Sequence, residues 1–300
     1  MNRTLVIVVT FNGRKWMDGC LGSLRRSARK ADVLVVDNAS TDGTAEYVRE
    51  HFPECRLLAC QDNLGFGQAN NIGLELAVRE GYDYVYLLNQ DAWVLPDTIG
   101  RLEDACRAAK GTAGPGERTP GAGPGILSPV QKAASGRLDA NFKDKCGGFL
   151  DKGGELVEVP FVMAAHWFMP TSVIRKVGGF SPAFSMYGED DNYIDRLHMH
   201  GMKCMVLKSA TGIHDREGRS ESRERKMKLK CTGALRRMID PHRSWGLALA
   251  LMPLELAATG MKNLSTVPLA CMRELWGRRR QLRALREESL KDGAFLDIQP

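Results

Sequence analysis

Leu5-Val6-Ile7-Val8-Val9 is an unbroken apolar run, mostly β-branched, with no polar residue to turn toward water. Such a run marks a strand buried on both faces of a mostly parallel sheet. Downstream, Trp16 to Ala28 carries apolar residues at helical spacing, and Val33-Leu34-Val35-Val36 is a second buried strand. Ser40, Thr41 and Asp42 signal a helix start, with the helix running to about Arg49. Arg56 to Ala59 reads as a short strand, Gly67 to Glu80 as a helix, Tyr84 to Leu88 as a fourth strand and Asp97 to Lys110 as a helix. Strand and helix in alternation predict a doubly wound, Rossmann-like α/β sheet with right-handed crossovers and helices on its faces.

Gly111 to Gly125 interrupts the alternation. It is rich in Gly and Pro, without periodicity, and reads as a flexible loop. Ile126 to Val130 resumes strand character. Leu138 to Pro160 reads as short strands and turns, pivoting at Cys146-Gly147-Gly148 and Lys152-Gly153-Gly154. Val173 to Val177 and Asp191 to His200 are helical, Cys204 to Leu207 is the last strand, and the chain beyond about Arg216 is mainly helical. Trp245 to Met261 is its most apolar stretch, but it contains Pro253 and Glu255 and falls short of the ~20 apolar residues of a spanning helix. An amphipathic helix packed on the protein or lying on a membrane is expected instead.

The 300 residues, 43% hydrophobic and 26% charged, suit an ordinary globular chain rather than a disordered one. The net charge of +6 is concentrated late: Arg216 to Arg243 holds ten Lys and Arg against four Asp and Glu. That bias suits an anionic partner such as a membrane surface or a phosphate-bearing acceptor, and a solvated helical face explains it as well. Nucleic acid is not expected as a partner, because no recognised nucleic-acid module accompanies the charge. The eight cysteines form no Cys-x-x-Cys pair, which argues against a zinc ribbon or redox motif and favours a reducing cytoplasm. No signal peptide precedes the first strand.

In open α/β sheets, ligands bind beyond the carboxyl ends of the strands. Thr10-Phe11-Asn12 follows the first strand, Asp37-Asn38-Ala39-Ser40 the second and Asn89-Gln90-Asp91 the fourth. Each alone is explained by turns and caps. Together they place polar groups at three strand ends on one edge.

These segments carry a resemblance. Val6 to Asn12, Val35 to Thr44, Asn63-Leu64-Gly65-Phe66-Gly67-Gln68-Ala69-Asn70-Asn71, Leu88-Asn89-Gln90-Asp91-Ala92, and Gly178-Gly179-Phe180 with Met186 to Asp191 resemble family 2 glycosyltransferases of the GT-A fold. They are most similar to the rhamnosyltransferase-like branch of bacterial surface-polysaccharide pathways. The resemblance covers about Arg3 to Asp215. It implies an inverting transfer of a sugar from a nucleotide-sugar donor to a hydroxyl of a glycan or glycolipid acceptor. By the resemblance, 1–110 is the nucleotide-sugar half and 126–215 the acceptor and catalytic half; composition gives the loop at 111–125 and a basic helical region at 216–300, expected in a cytoplasmic protein either at the inner face of the membrane or as a solvated surface.

The resemblance also implies roles. Thr10, Asn12, Asp37, Asn38 and Gln90 contact the nucleoside side of the donor; Gly65 lets backbone approach it, with Asn70 nearby at the helix start. Asp91 binds Mg²⁺ or Mn²⁺ bridging the donor phosphates. Many GT-A enzymes have Asp-x-Asp here, whereas Asn89 and Gln90 leave one carboxylate, so His214 is a candidate second ligand or else a packing residue. Of Glu189, Asp190 and Asp191, Asp190 is the general base. Trp167 either stacks on the donor sugar or packs in the core. A sugar-1-phosphate nucleotidyltransferase lacks support, since no glycine-rich loop follows the first strand, and a degenerate scaffold would have lost Asp91 or the acidic trio.

Overall fold

The computed structural model describes residues 2–111, 124–185, 187–216 and 223–298. The first half runs β1 (Thr4–Thr10), α1 (Met17–Arg25), β2 (Asp32–Asp37), α2 (Thr44–His51), β3 (Arg56–Ala59), α3 (Gly65–Arg79), β4 (Tyr84–Asn89), β5 (Ala92–Val94) and α4 (Thr98–Gly111). The second runs β6 (Pro124–Lys132), α5 (Ala140–Cys146), β7 (Leu156–Val159), β8 (His166–Pro170), α6 (Thr171–Val177), α7 (Glu189–Met199) and β9 (Lys203–His214). Then come α8 (Arg223–Ile239), α9 (Trp245–Asn263), α10 (Val267–Gly277) and α11 (Arg279–Glu288).

One sheet holds the strands in the order β3-β2-β1-β4-β8-β6-β9-β5, with β7 on the far part of β9. β3, β2, β1 and β4 are parallel, as the buried runs predict. The second half of the sheet is mixed: β8 is antiparallel to β4 and β6, and β9 is parallel to β6 but antiparallel to β5 and β7. Register sets the functional edge. Thr10 lies opposite Asp37, and Val9 opposite Asn89, so the strand-end residues of β1, β2 and β4 share one rim.

Alternation along β1 serves two cores. Leu5, Ile7 and Val9 pack with Leu74 of α3, Ile174 of α6 and Tyr193 and Leu197 of α7. Val6 and Val8 pack with Met17 and Leu21 of α1, Val48 of α2 and Leu102 of α4. A third core joins α8 to α11 and takes in Ala183 and Phe184 from the loop before α7. The chain then returns to the sheet domain. Gly179 N–H donates to Ala294 O at 2.8 Å, Lys176 pairs with Asp292 at 2.8 Å, and Asp297 N–H reaches Glu75 Oε1 at 2.9 Å. Gly178, at φ +87°, has no room for a Cβ beside Ala294, so this docking depends on a bare backbone.

Four sequence expectations need correction. Most of the 111–125 loop lies outside the described residues, but Gly111 closes α4, and Pro124 and Gly125 already belong to β6. Leu138 to Pro160 is not all strand and turn. Asp139 caps α5 by accepting from Phe142 N–H at 2.9 Å, and Phe142 and Cys146 bury one helical face. The last strand does not stop at Leu207 but continues to His214. Finally, β5 and β8 were not expected. β5 is only three residues long, too short to set a pattern, and β8 ends on Pro170 with every residue buried, so it shows no alternation.

Candidate active site

A cleft of about 310 Å³ opens at the carboxyl ends of β1 and β4. Asn38 lines it from beyond β2, Gln90 and Asp91 from beyond β4, and Gly65 from the start of α3. Tyr187, Glu189 and Asp190 enter from the start of α7, and His214 from the end of β9.

The β5–β9 ladder brings Asp91 and His214 together. Ala92 lies opposite His214, and Asp215 N–H donates to the Asp91 carbonyl at 2.8 Å. His214 Nε2 is then 3.6 Å from Asp91 Oδ2, with both side chains buried. On the other side of the ring, Asp139 Oδ2 stands 3.9 Å from Nδ1, which makes no hydrogen bond. Among the described residues no group of three or more metal-ligating side chains gathers in one place. One carboxylate and one imidazole suit a divalent cation that completes its shell with ligand oxygens and water, rather than a cage that retains a bare ion.

The nucleoside side is more structural than the resemblance implies. Thr10 is fully buried, and its hydroxyl donates to Gln90 Oε1 at 2.8 Å, while Phe11 N–H reaches the same oxygen at 2.9 Å. Thr10 therefore fastens the ends of β1 and β4 together and does not reach the cleft; Gln90 shares that task but also faces it. Asn12 takes a left-handed conformation, φ 49°, and accepts from Thr41 N–H at 2.9 Å, tying the loop after β1 to the loop after β2. Asp37 Oδ2 accepts from Ser40 N–H at 3.2 Å, whereas its Oδ1 is buried without a partner. Asn38 accepts from Leu64 N–H at 2.8 Å and donates to Asn63 at 2.9 Å.

Contacts within the protein account for three further residues. Gly65, φ +79°, has the Ser185 carbonyl where a Cβ would go, so its bareness admits the loop before α7. Asn70 is buried within α3 and donates to Phe66 O at 2.9 Å, away from the cleft. Its neighbour Asn71, not singled out from the sequence, grips Phe180 by both backbone groups, accepting from N–H at 2.7 Å and donating to O at 2.9 Å. Trp167 has no exposed surface. It donates to Val162 O at 3.0 Å and stacks on Phe180 with ring centroids 5.9 Å apart, so it is a core tryptophan and not a sugar platform. Its β8 neighbour His166 is equally buried, with Nδ1 facing the Tyr86 hydroxyl at 2.7 Å and Nε2 facing Ile213 O at 3.0 Å.

Tyr187 and Gly188 are both left-handed, at φ 68° and 87°, and aim the start of α7 into the cleft. For Tyr187 this is a strained conformation of the kind that collects at functional sites. Glu189 is buried, with Oε2 lacking a partner. Asp190 is half-buried, and one oxygen accepts from Asp191 N–H at 2.9 Å. Burial pushes the Glu189 carboxyl up, and the charge of Asp190 adds to this. Burial and then Asp191 raise Asp190 likewise. Asp191 is used elsewhere: Arg236 of α8 bonds to it at 2.6 Å and clasps Asp195 at 2.7 and 2.8 Å. Burial raises the Asp191 carboxyl and Arg236 partly offsets it. Of the three acids that open α7, Glu189 and Asp190 therefore face the cleft and Asp191 does not. Nothing in the local sequence pointed to Arg236, and Asp139 was likewise not singled out, because its segment read as strands and turns.

Solved structures share this architecture. S. aureus TarS 1–349 in complex with UDP superposes with a TM-score of 0.57 at 15% identity, over 96% of this chain and 89% of that one. GalNAc-T7 with UDP, GalNAc and Mn²⁺ gives 0.53 at 13% identity, over 94% and 58%. Against the longer S. aureus TarS chain, the alignment spans 54% of that protein. In sequence, the N-acetylglucosaminyl-diphospho-decaprenol L-rhamnosyltransferase of Mycobacterium tuberculosis is 28% identical over 232 residues, 70% of this chain and 75% of that one. The undecaprenyl-phosphate mannosyltransferase of Micrococcus luteus is 33% identical over 122 residues, 40% of this chain and half of that protein. Residues 5–178, more than half the chain and including every strand-end segment from Thr10 to Asp91, match Glycosyl transferase family 2. The chain belongs to that family and is a glycosyltransferase of the GT-A fold.

Proposed function

We propose that it moves a hexosyl or deoxyhexosyl group, with inversion, from a nucleotide-diphospho-sugar to a hydroxyl of a glycan or lipid-linked glycan. The observation that carries this reading is the pairing, in one cleft, of Asp91 and His214 on the nucleotide side with Glu189 and Asp190 at the start of α7. A bound divalent cation would neutralise charge on the departing diphosphate. Asp91 and His214 would hold it, and the unpartnered Asp37 oxygen suits a base or ribose donor. Asp190, its carboxylate accessible in the cleft, takes the proton from the acceptor hydroxyl as the oxygen attacks the anomeric carbon. Glu189 stays protonated to higher pH and orients the acceptor. The names of the relatives, one acting on a decaprenol-linked sugar and one on undecaprenyl phosphate, support a lipid-linked acceptor. A panel of nucleotide sugars with and without Mn²⁺ tests the reading: one donor should raise the melting temperature only with cation, and slowly release its nucleoside diphosphate. Release from none of them sinks it.

The same acceptor class gives the C-terminal helices a role at the membrane surface. Among the described residues no helix is long and apolar enough to cross a membrane. Yet Leu247, Leu251, Leu254 and Met261 of α9 share one face and are 60, 50, 69 and 73% exposed. Arg237 engages Glu255, the acid of that helix, at 3.0 Å. Lys262 of α9, Arg273 of α10 and Arg280 and Arg283 of α11 are exposed as well. An exposed apolar stripe in a helical unit with exposed cations fits an interfacial helix on anionic lipid. Flotation with anionic liposomes should succeed at low salt, and Leu251→Glu with Leu254→Glu should abolish it. Wild-type protein that stays at the bottom at low salt returns these residues to an ordinary solvated surface.

A further inference from the structure

A second groove, of about 240 Å³, lies between α8, α10 and the loop that precedes α7. Its walls are mainly apolar: Phe184 from the loop, Leu229 and Leu235 from α8, and Leu275 from α10. It abuts the active-site cleft, because Tyr187 lines both. Lys228 of α8 and Arg278, just beyond α10, stand at its edge, Arg278 with Glu274 at 3.0 Å.

We propose that this groove binds the isoprenoid chain of a lipid phosphate- or diphosphate-linked acceptor. It rests on the acceptor reading above and names the part of the acceptor that the fold recognises. Three features favour an isoprenoid phosphate as occupant. The walls are mainly apolar, which suits a flexible hydrocarbon. The cations at the edge complement a phosphate or diphosphate, which a neutral glycan chain does not require. Tyr187, shared by groove and cleft, places the sugar that follows the phosphate beside Asp190. The strained backbone at Tyr187 and the packing of Phe184 on α8 and α10 then couple chain binding to the position of the catalytic helix. The groove is also built by the same helical unit that carries the exposed apolar face of α9.

The test uses the full chain with isopentenyl, geranyl and farnesyl diphosphates, which share a head group and differ in apolar length. Affinity should tighten by about tenfold or more from isopentenyl to farnesyl diphosphate as more chain is buried. Thr232→Trp, which fills the groove from a half-buried position on α8, should remove that dependence while nucleoside diphosphate affinity stays unchanged. Leu229→Gln provides a milder variant should the bulky one misfold, and should weaken farnesyl diphosphate selectively. Affinity independent of chain length, or chain dependence that survives both substitutions in folded protein, overturns the proposal. A wild-type enzyme that glycosylates soluble glycans but no lipid-linked one fails differently: it removes the acceptor reading, and the groove's role with it.

Discussion

Asp190→Asn is expected to lower the transfer rate by about two to four orders of magnitude, the usual contribution of a positioned general base. The substitution keeps the shape of the side chain and its contact with Asp191 N–H, and removes only the proton acceptor. Glu189→Gln should cost less, because a carboxyl already held protonated by burial loses little when made permanently neutral. Asp191→Asn should act through structure, since its partner is Arg236 and not the cleft. The pH dependence carries a sign. Asp190 must be ionised to accept a proton, and burial pushes its carboxyl up to about 6, above the usual aspartate range. Activity should therefore fall on acidification with a midpoint above the ordinary aspartate range, and not continue undiminished down to it. Turnover of all three variants across that range checks the assignment. A fully active Asp190→Asn beside a dead Glu189→Gln would move the base to Glu189.

The second large effect is expected at Asp91. Asp91→Ala should abolish transfer, because it removes the only carboxylate at the end of β4, where the common GT-A arrangement supplies two. The fold should persist, since the bond from Asp215 N–H to the residue 91 carbonyl is a backbone bond and the β5–β9 ladder does not need the side chain. His214→Ala should be milder, weakening cation binding so that more Mn²⁺ is needed while Asp91 remains. Steady-state transfer with titrated Mn²⁺ reads both. Activity of Asp91→Ala at saturating cation, or wild-type activity indifferent to EDTA, removes Asp91 from this role.

The parallel half of the fold was legible in the sequence because its strands are buried on both faces and announce themselves as unbroken apolar runs, Leu5–Val9 and Val33–Val36 among them. The mixed half was harder to read. β8 is central, yet it is short, ends in proline and carries a buried histidine, so no periodicity marks it. Missing β8 also hid the fate of Trp167, whose stacking on Phe180 follows only from the strand's place between β4 and β6. Asp91 and His214 were each readable as strand-end residues, but their approach to 3.6 Å depends on the three-residue β5. Thr10, Gly65 and Asn70 lie in the segments the resemblance pointed to, but contacts within the protein use up Thr10 and Asn70 and occupy the space beside Gly65. Glycine and asparagine in such motifs serve loop assembly as readily as ligand contact, and only partners in three dimensions separate the two. Arg236 comes from a helix whose sequence reads as generic basic charge, and its role emerges where it meets Asp191 and Asp195.

The central claim is a division of labour in one cleft, with Asp91 serving the donor diphosphate and Asp190 serving the acceptor hydroxyl. Calorimetric titration of the donor's nucleoside diphosphate into wild type, Asp91→Ala and Asp190→Asn, each with and without Mn²⁺, tests it most directly. Wild type and Asp190→Asn should bind with closely similar, cation-dependent affinity, and Asp91→Ala should lose the cation dependence. Cation-dependent binding that survives in Asp91→Ala, or disappears in Asp190→Asn, would contradict the account.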